Sequence, residues 1–329
     1  MSWLRDALAN ISEGDDEAGD AVRARAADIL RPAGALARLD DVAAWVAQWQ
    51  GSSQPAIRKP AALIFAADHG VAAAAGVSKY PVDVTAAMLA AYKAGKSTVS
   101  AFATVARATV EAIDVGVGRP TNDIRFEAAM SVQRFDEACE AGRSAVNRID
   151  TDLLVIGEMG IGNTTAAAAV AAAIAGGDVA AWVGRGTGVD NAGLKRKRDA
   201  VQSAVDRVAA VVDPLEILRE VGGTELVAMA AAIVAARHRN IPVLLDGYVV
   251  AASALPLAIV RRDALDHCRA GHCSAEPGHR MLLERLHKQP LLDLEMRLGE
   301  GSGAMCAVPL VAMACAGITD VPTFGEWFG

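Results

Sequence analysis

Three glycine-rich segments carry residue types that could hold an anion or move a proton. They are GEMGIGNTT, VGRGTGVDNAGLKRKR and MRLGEGSGAM. In the first, a turn at Gly160 and Gly162 is followed by polar residues and a run of alanines; the polar residues are Asn163, Thr164 and Thr165. We expect a helix N-terminus there, where free backbone N–H groups and hydroxyls attract an anion. No lysine precedes the threonine pair, which argues against a nucleoside triphosphate and favours a monophosphate.

The second segment joins a glycine loop to a basic helix. Its loop residues are Gly184, Arg185, Gly186, Thr187 and Gly188. Glycine at such positions permits unusual backbone angles or the close approach of a ligand. The basic run at residues 195–198 follows on a predicted helix. Because such runs are usually solvated, we expect at most one or two of its side chains to point inward.

The third segment places one carboxylate, Glu300, between Gly299 and Gly301, just before an apolar helix. Such an acid either occupies the first turn of a helix, where negative charge is favoured, or is a group that a ligand must approach closely. Burial beside apolar residues would raise the pKa of Glu300 toward the range of a general base, whereas the helix dipole would lower it. The sequence leaves the sign of the net shift open.

The elements that must position these segments are short apolar runs alternating with alanine-rich helices. Four runs are typical of buried parallel strands: AALIFAADHG, ATVEAIDVGVG, TDLLVIGEMG and NIPVLLDGY. Strands that alternate with helices predict repeated β-α-β units, and hence an α/β fold with a parallel sheet.

Each of these four strands ends in an acid that is followed at once, or within two positions, by glycine. The acids are Asp68, Asp114, Glu158 and Asp246, and His69 stands between the first of them and its glycine. In open parallel sheets the ligand crevice lies beyond the carboxyl ends of the strands, so the acids should converge. Any single one could instead cap the helix that follows. Four together favour a ligand site at this edge, with Asp68, His69 and Asp246 as candidate contacts.

Composition argues against several classes of protein. The chain has 329 residues, 53% of them hydrophobic, which suffices for a large core in one domain, with or without a small appendage. A formal charge of −7 argues against nucleic acid as a partner. The run at residues 164–181 is nearly all alanine and includes Gly176, Gly177 and Asp178, so we expect no membrane span. An acidic N-terminal segment and five cysteines without a C-x-x-C pair predict a cytoplasmic protein with reduced thiols.

The segment DHCRAGHCSAEPGH concentrates imidazoles and thiols, namely His267, Cys268, His272, Cys273 and His279. Zinc sites use these residue types, but the paired spacing of the common zinc motifs is missing, and the Pro-Gly pair indicates a turn. We therefore predict a loop with helix-capping Ser274 and Glu276 rather than a metal site.

Eight blocks, in their order and separations, resemble the nicotinate-nucleotide–dimethylbenzimidazole phosphoribosyltransferase family, also called CobT. They are AADHGV, GVSKYPVDVT, GEMGIGNTTAAAAV, GRGTGVDNAGLKRK, PLEILREVGGTELVAMA, IPVLLDGYVVAASAL, AGHCSAEPGH and MRLGEGSGA. The resemblance implies a Rossmann-like parallel sheet flanked by helices, forming a catalytic domain at residues 56–304. It also implies a small helical domain built from residues 1–55 and about 305–329, and the helical pattern before the turn-rich residues 51–60 agrees with this. A homodimer that needs no metal or cofactor is expected.

The resemblance also implies the reaction, which moves phosphoribose from nicotinate mononucleotide to 5,6-dimethylbenzimidazole. Glu300 would take the proton from the benzimidazole N–H, and Glu158 would lie beside the base. The segments GIGNTT and GRGTG would hold the 5′-phosphate and ribose, with Lys197 stabilising their charge.

The pocket for the benzimidazole would, by the same resemblance, be lined by Ser78, Tyr80, Pro81 and Met88. In some relatives a glutamine that reaches the base follows the VT of YPxxVT, where this chain has Ala86 and Ala87. The loss of that polar contact opens the choice of base to other benzimidazoles or to purines. Two other functions remain open from the sequence: a non-catalytic nucleotide-binding or sensor protein on the same fold, and a phosphoribosyl hydrolase.

Overall fold

Six parallel strands form one sheet in a computed structural model that describes residues 2–329. The strands are β1 (Pro60–Ala67), β2 (Thr109–Gly116), β3 (Leu153–Met159), β4 (Val243–Leu245), β5 (Cys268–Cys273) and β6 (Pro290–Asp293). Their order across the sheet is β2-β1-β3-β4-β5-β6, and each neighbouring pair is parallel. The predicted α/β fold with a parallel sheet is therefore confirmed, and the four strands predicted from the sequence are β1 to β4.

Sixteen helices connect and cover these strands in the described part of the chain. The first eight are α1 (Ser2–Ala9), α2 (Asp16–Asp28), α3 (Arg38–Gln50), α4 (Gly70–Ala75), α5 (Val84–Lys93), α6 (Thr98–Ala106), α7 (Val132–Arg148) and α8 (Asn163–Ala175). The others are α9 (Val179–Trp182), α10 (Asn191–Arg207), α11 (Pro214–Val221), α12 (Thr224–His238), α13 (Tyr248–Val260), α14 (Pro277–Arg285), α15 (Ser302–Thr319) and α16 (Phe324–Phe328).

The two faces of the sheet support separate apolar layers, because successive strand residues point to opposite faces. On one face, Phe65 and Ile156 pack with the inner surfaces of α7, α8, α12 and α13. On the other, Ile64 and Val155 pack with α3, α6 and α15. Near-continuous apolar strands of this kind are what a sheet covered on both faces requires, and every residue of β1 is buried.

The N- and C-terminal segments meet on the second of these faces. An isolated bridge joins Ile29 to Thr323, and Arg25 forms an ion pair with Glu326. Helix α15 packs against α3 and shares an apolar layer with the sheet. The association of the two chain ends agrees with the predicted helical unit. That this unit is a separate domain, bounded at residues 55 and 305, stays a prediction.

The prediction of a loop at residues 267–279 is wrong. Most of that segment is strand β5 followed by α14, which begins at Pro277. The strand lacks the apolar run that identified β1 to β4, since it reads CRAGHC, yet five of its six residues are buried. Its polar side chains find partners inside the protein, and a pattern of hydropathy does not register such partners.

Two apolar helices relate to the question of membrane insertion. The alanine-rich run at residues 164–181 forms α8 and the start of α9, with most of the α8 alanines buried. Helix α15 is long and apolar enough to cross a membrane by length and composition, and 56% of it is buried inside the protein. Its packing against α3 and β5 is that of a core helix.

Candidate active site

A cleft lies at the carboxyl ends of the central strands, with about 630 Å³ of space when the part open to solvent is included. The end of β3, the start of α8, the loop before α10, the starts of α13 and α14, and the loop before α15 all contribute to its wall. The lining residues are Glu158, Met159, Gly160, Ile161, Asn163, Thr164, Gly186, Thr187, Gly247, Tyr248, Val249, His272, Ser274, Glu276, Arg297, Leu298 and Gly299. This position, beyond the carboxyl ends of the strands, is the expected one for a ligand site in an open parallel sheet.

Glu300 lies at the edge of this cleft, in the loop that leads into α15. Its neighbour Gly299 lines the cleft, whereas Glu300 itself is only 6% exposed. The Glu300 backbone has a φ of 65°, which is rare for a residue other than glycine and marks a strained position. The buried Oε2 atom of Glu300 has no hydrogen-bond partner among the described residues. A buried carboxylate oxygen without a partner is available to accept a proton or hydrogen bond from a ligand.

The surroundings of Glu300 raise its pKa. Burial is the main cause, and the negative charge of Asp246 acts in the same direction, while the nearby Tyr92 hydroxyl lowers the pKa. This hydroxyl is buried beside Glu300 but does not reach full hydrogen-bond geometry. The net shift in the pKa of Glu300, whose direction the sequence left open, is therefore upward. It moves the pKa of Glu300 toward the range of a general base.

Glu158, at the end of β3, is a second carboxyl group on the same wall. Burial, together with the charges of Asp246, Glu225 and Glu300, raises the pKa of Glu158 to about 8. One of its oxygens accepts a hydrogen bond from the side-chain amide of Asn163. Gly299 is required opposite it, because a Cβ there would lie 2.6 Å from Glu158 Oε1. Near pH 7 the Glu158 carboxyl is thus mostly protonated.

A cationic corner is formed by Lys197, from α10, and the start of α8. The side chain of Lys197 is 1% exposed, and its Nζ donates to Thr164 Oγ1 and to the carbonyl oxygen of Gly184, each at 2.9 Å. Burial lowers the pKa of Lys197 to about 8. Gly186 lies against the ammonium, since a Cβ there would come within 3.3 Å of Nζ. Of the basic run at residues 195–198, Lys197 is the one that is buried, as the pattern predicts for one or two of its members.

The start of α8 carries the residues predicted to face an anion. The helix begins at Asn163, after Gly162 in the left-handed conformation. Asn163 and Thr164 line the cleft, but Thr165 is fully buried beneath it and its hydroxyl has no partner. The structure thus brings the first two of these three polar residues to the cleft.

The loop before α10 likewise places only some of its predicted residues at the cleft. Gly186 and Thr187 line the cleft. The Arg185 guanidinium instead donates to Val189 O and Asn191 Oδ1, so it braces the start of α10 and does not face a ligand. Gly188 is exposed outside the cleft.

Three strand-end residues predicted as ligand contacts bind protein groups and do not line the cleft, although Asp68 Oδ1 and His69 Nδ1 are buried without a hydrogen-bond partner among the described residues. Asp68 Oδ2 accepts from Gly118 N at 2.7 Å, and His69 Nε2 lies 2.6 Å from Glu225 Oε1 in a fully buried pair. Asp246 accepts from the backbone of the loop and helix that follow Glu300. Asp114 is exposed and accepts only from the amides of its own turn, at Gly116 and Val117. Among the four strand-end acids, Glu158 is the one that lines the cleft.

The residues predicted to line a benzimidazole pocket lie on and before α5. Tyr80 is 47% exposed and its amide donates to Ser78 Oγ, so neither residue lines the cleft in the described chain. Met88 is partly buried and lies one helical turn before Tyr92, on the face that packs toward the sheet. Ala86 and Ala87 are exposed.

Sequence reasoning missed several residues of the site. Tyr92 is four positions after Met88, a spacing that could have indicated a shared helix face. Thr85 Oγ1 accepts from Ile161 N at 3.2 Å and so joins α5 to the turn before α8. Glu276 lines the cleft with its Oε2 buried and without a partner, and Glu225 pairs with His69 across 156 positions of chain. The sequence predicts Glu276 only as a helix-capping residue, and nothing local in it marks Glu225 as part of the site.

The imidazoles of residues 267–279 are bound by protein groups. His267 Nε2 lies 2.9 Å from Ile233 O, and burial lowers its pKa to about 3. His279 Nδ1 accepts from Ser274 N at 2.8 Å, and burial lowers its pKa to about 3 as well. These contacts make both histidines neutral packing residues of the core.

Comparison with known proteins shows which family the chain resembles. The sequence matches a family described as "Phosphoribosyltransferase" over residues 11–327. The nicotinate-nucleotide–dimethylbenzimidazole phosphoribosyltransferase of Mesorhizobium japonicum is 46% identical over 327 residues, which cover 99% of this chain and 97% of that protein. The protein of the same name from Methylocella silvestris is also 46% identical, over 99% of this chain and 95% of its own length.

A solved structure extends the similarity to three dimensions. The crystal structure of CobT from Thermus thermophilus superimposes with a TM-score of 0.90 at 41% identity, covering 94% of this chain and 98% of that chain. The family match, over residues 11–327, includes every segment that forms the cleft. The chain therefore belongs to the nicotinate-nucleotide–dimethylbenzimidazole phosphoribosyltransferase family of pentosyltransferases.

Proposed function

We propose that the protein transfers phosphoribose from nicotinate mononucleotide to 5,6-dimethylbenzimidazole, giving α-ribazole 5′-phosphate and nicotinate. The names of its relatives support this substrate pair. The observation that carries the mechanism is the buried Oε2 of Glu300, which has no partner and belongs to a carboxyl group of raised pKa at the cleft edge. That is the property required of a general base for a weakly acidic N–H.

The reaction forms one bond at C1′ of the ribose and breaks another. As Glu300 takes the N–H proton of the benzimidazole, the opposite ring nitrogen becomes a stronger nucleophile and attacks C1′. The bond from C1′ to the pyridinium nitrogen breaks, and its electron pair leaves with nicotinate, so no acid is needed for departure. Attack from the face opposite the leaving group inverts the β configuration to α.

Lys197 and the start of α8 provide the binding site for the 5′-phosphate in this mechanism. The Lys197 ammonium already contacts Thr164 Oγ1, and Thr164 lies in the first turn of α8, where the helix dipole favours negative charge. With a pKa of about 8, Lys197 is mostly charged near pH 7, so it can pair with the phosphate. Fixing the phosphoribose here and the base near Glu300 orients the two reactants, and such positioning can be worth about 7 kcal/mol or more.

Glu158 has a supporting role between the two substrates. Because its pKa is near 8, it is mostly neutral near pH 7 and adds no full negative charge beside Glu300. A neutral carboxyl can donate a hydrogen bond to a ring nitrogen or hydroxyl at the base site. Met88 and Tyr92 extend the apolar surface of α5 toward the same end of the sheet.

We further propose that the reaction serves assembly of the lower nucleotide loop of cobalamin, and that the protein acts in the cytoplasm as a homodimer. Ala86 and Ala87 leave the start of α5 without an amide side chain at the positions where some relatives carry glutamine. We accordingly include other benzimidazoles and purines among the bases to be tested.

One chromatographic assay with and without the base tests this proposal. Purified protein with nicotinate mononucleotide and dimethylbenzimidazole should release nicotinate and α-ribazole 5′-phosphate in equal amounts. A sensor would give a ligand-induced thermal shift without product. A hydrolase would release nicotinate at the same rate when the base is omitted. Either of these outcomes would contradict the proposed transfer.

A further inference from the structure

We propose that Asp246 is a positioning residue, which holds the Glu300 loop in its reactive geometry through the backbone of α15 rather than binding substrate. The inference rests on the proposed role of Glu300 as the general base. Asp246 follows β4 and is 1% exposed; it is not one of the residues that line the cleft, and its carboxylate binds the backbone before and in α15. It thus connects a rigid strand of the sheet to the residue that performs the proton transfer.

Two backbone hydrogen bonds make this connection. Asp246 Oδ2 accepts from Gly301 N at 3.1 Å, and Oδ1 accepts from Ala304 N at 2.8 Å. These amides belong to the start of α15, where backbone N–H groups lack partners within the helix. Gly301 directly follows Glu300, so the first of these bonds fixes the peptide on the carboxyl side of the base.

The conformation of Glu300 explains why such a restraint is needed. A φ of 65° is rarely populated by a residue with a Cβ, so the loop would relax if its neighbours did not hold it. Gly299 and Gly301 flank it with positive φ values of their own, and they contribute little stiffness. This run of three left-handed residues is held by the Asp246 carboxylate, by Ser302, whose N and Oγ donate to Gly299 O at 3.0 and 2.6 Å, and by the bond from Met305 N to Gly301 O.

A third contact holds Asp246 from the other side. His272, on β5, places Nε2 at 3.3 Å from Asp246 Oδ1. The imidazole ring lies against α15, where a Cβ on Gly303 would come within 2.2 Å of the ring. The Asp246 carboxylate therefore lies between β5 and the start of α15, and its two hydrogen bonds to the α15 backbone depend on oxygens that can accept.

The charge of Asp246 also acts on Glu300. The titratable groups that face Glu300 are the Tyr92 hydroxyl from α5, Glu158 from β3 and Asp246 after β4, with His272 beside the last of these. The Asp246 charge raises the pKa of Glu300, and the Tyr92 hydroxyl lowers it. Removing the negative charge at Asp246 should therefore make Glu300 easier to ionise but less well placed.

The test is Asp246→Asn, with Asp114→Asn as the matched control. An amide retains one acceptor oxygen, so the variant can cap one backbone N–H of α15 but not both. We expect kcat to fall by about 100-fold, the usual scale for a displacement of about 1 Å in a catalytic group. The KM for nicotinate mononucleotide should stay near the wild-type value, and the acid limb of the kcat profile should move to lower pH. Asp114→Asn, which alters only an exposed turn, should change none of these.

A double-mutant cycle separates positioning from substrate binding. If Asp246 acts through Glu300, Asp246→Asn should cost little further activity in a Glu300→Gln background. If the two residues acted independently, the fold-losses of the two single variants would multiply in the double variant. Wild-type kcat and an unmoved acid limb in Asp246→Asn would overturn the inference while Glu300→Gln still tests the base itself. Should Asp246→Asn fail to fold, as judged by its thermal transition, Asp246→Ser keeps a capping oxygen without charge. A wild-type kcat in that variant would overturn the inference equally.

Discussion

Replacement of Lys197 by methionine isolates the contribution of the cationic corner to substrate binding. Methionine matches the length of the buried lysine stem, so the core around α10 should remain filled while the ammonium is lost. A hydrogen bond to a charged group is worth about 1.5–3 kcal/mol, and tenfold in affinity is about 1.4 kcal/mol. The KM for nicotinate mononucleotide should therefore rise about 10- to 150-fold, with a smaller change in kcat.

Lys195→Met is the matched control for this prediction. Lys195 lies two positions away on α10, is exposed, and pairs at the surface with Asp199 at 2.6 Å. Its replacement should leave KM within the error of the wild-type value, because surface ion pairs contribute little. An equal rise in KM for both variants would indicate a general loss of positive charge and not a phosphate contact.

The pH dependence of KM provides an independent check. Lys197 in the wild type loses its proton as the pH rises through about 8, so KM for nicotinate mononucleotide should increase above that pH. Glu158 titrates in the same range, and the difference between wild type and Lys197→Met is what reports on the lysine. Steady-state kinetics at saturating base from pH 6 to pH 9.5 would measure it. A wild-type KM in Lys197→Met at pH 7, or an unchanged alkaline rise, would refute the phosphate assignment.

Two further substitutions test the carboxyl groups of the cleft. Tyr92→Phe removes the hydroxyl that lowers the pKa of Glu300, so the base should stay protonated to higher pH and the acid limb of kcat should move up, opposite to Asp246→Asn. Glu158→Gln removes a carboxyl group whose pKa is about 8 in the folded protein and 4.5 in the unfolded chain. Between these two pH values the unfolded chain loses the proton more readily, so Glu158 destabilises the wild-type fold increasingly as the pH rises. Denaturant unfolding should show the variant gaining relative stability from pH 5 to pH 8, by at most about 1.4 kcal/mol per pH unit; a difference independent of pH would contradict the raised pKa.

Three of the four predicted strands, β1, β3 and β4, are almost uniformly buried, whereas β2 could be predicted although only Val115 and Gly116 of its eight residues are buried. Strands β1 and β3 are nearly all apolar because helices cover both of their faces, and a hydropathy pattern reports that condition directly. Strand β5 escaped prediction because its Arg269 and His272 are accommodated by partners from other elements. Such compensation depends on tertiary contacts, and the residues that provide them are distant in the chain.

The residues of the candidate site also differ in how well a local sequence pattern predicts them. Glu300 could be selected from its glycine-rich context. The helical pattern restricts the inward-pointing members of residues 195–198 to one or two, and the family resemblance selects Lys197 among them. The orientation of Asp246 could not, because an acid at a strand end serves equally well as a ligand contact or as a cap for a nearby helix. The direction of the Glu300 pKa shift depends on Tyr92 and Asp246, which only the fold brings beside it.

Turnover of Glu300→Gln tests the central claim most directly. Glutamine keeps the size and polarity of the side chain but cannot take the benzimidazole proton, and general-base catalysis is typically worth about 10²- to 10⁴-fold. We predict that kcat for α-ribazole 5′-phosphate falls by that factor while both substrates still bind, and that Glu295→Gln, an exposed glutamate of the same loop, behaves as wild type. Wild-type turnover by Glu300→Gln would contradict the assignment of the general base.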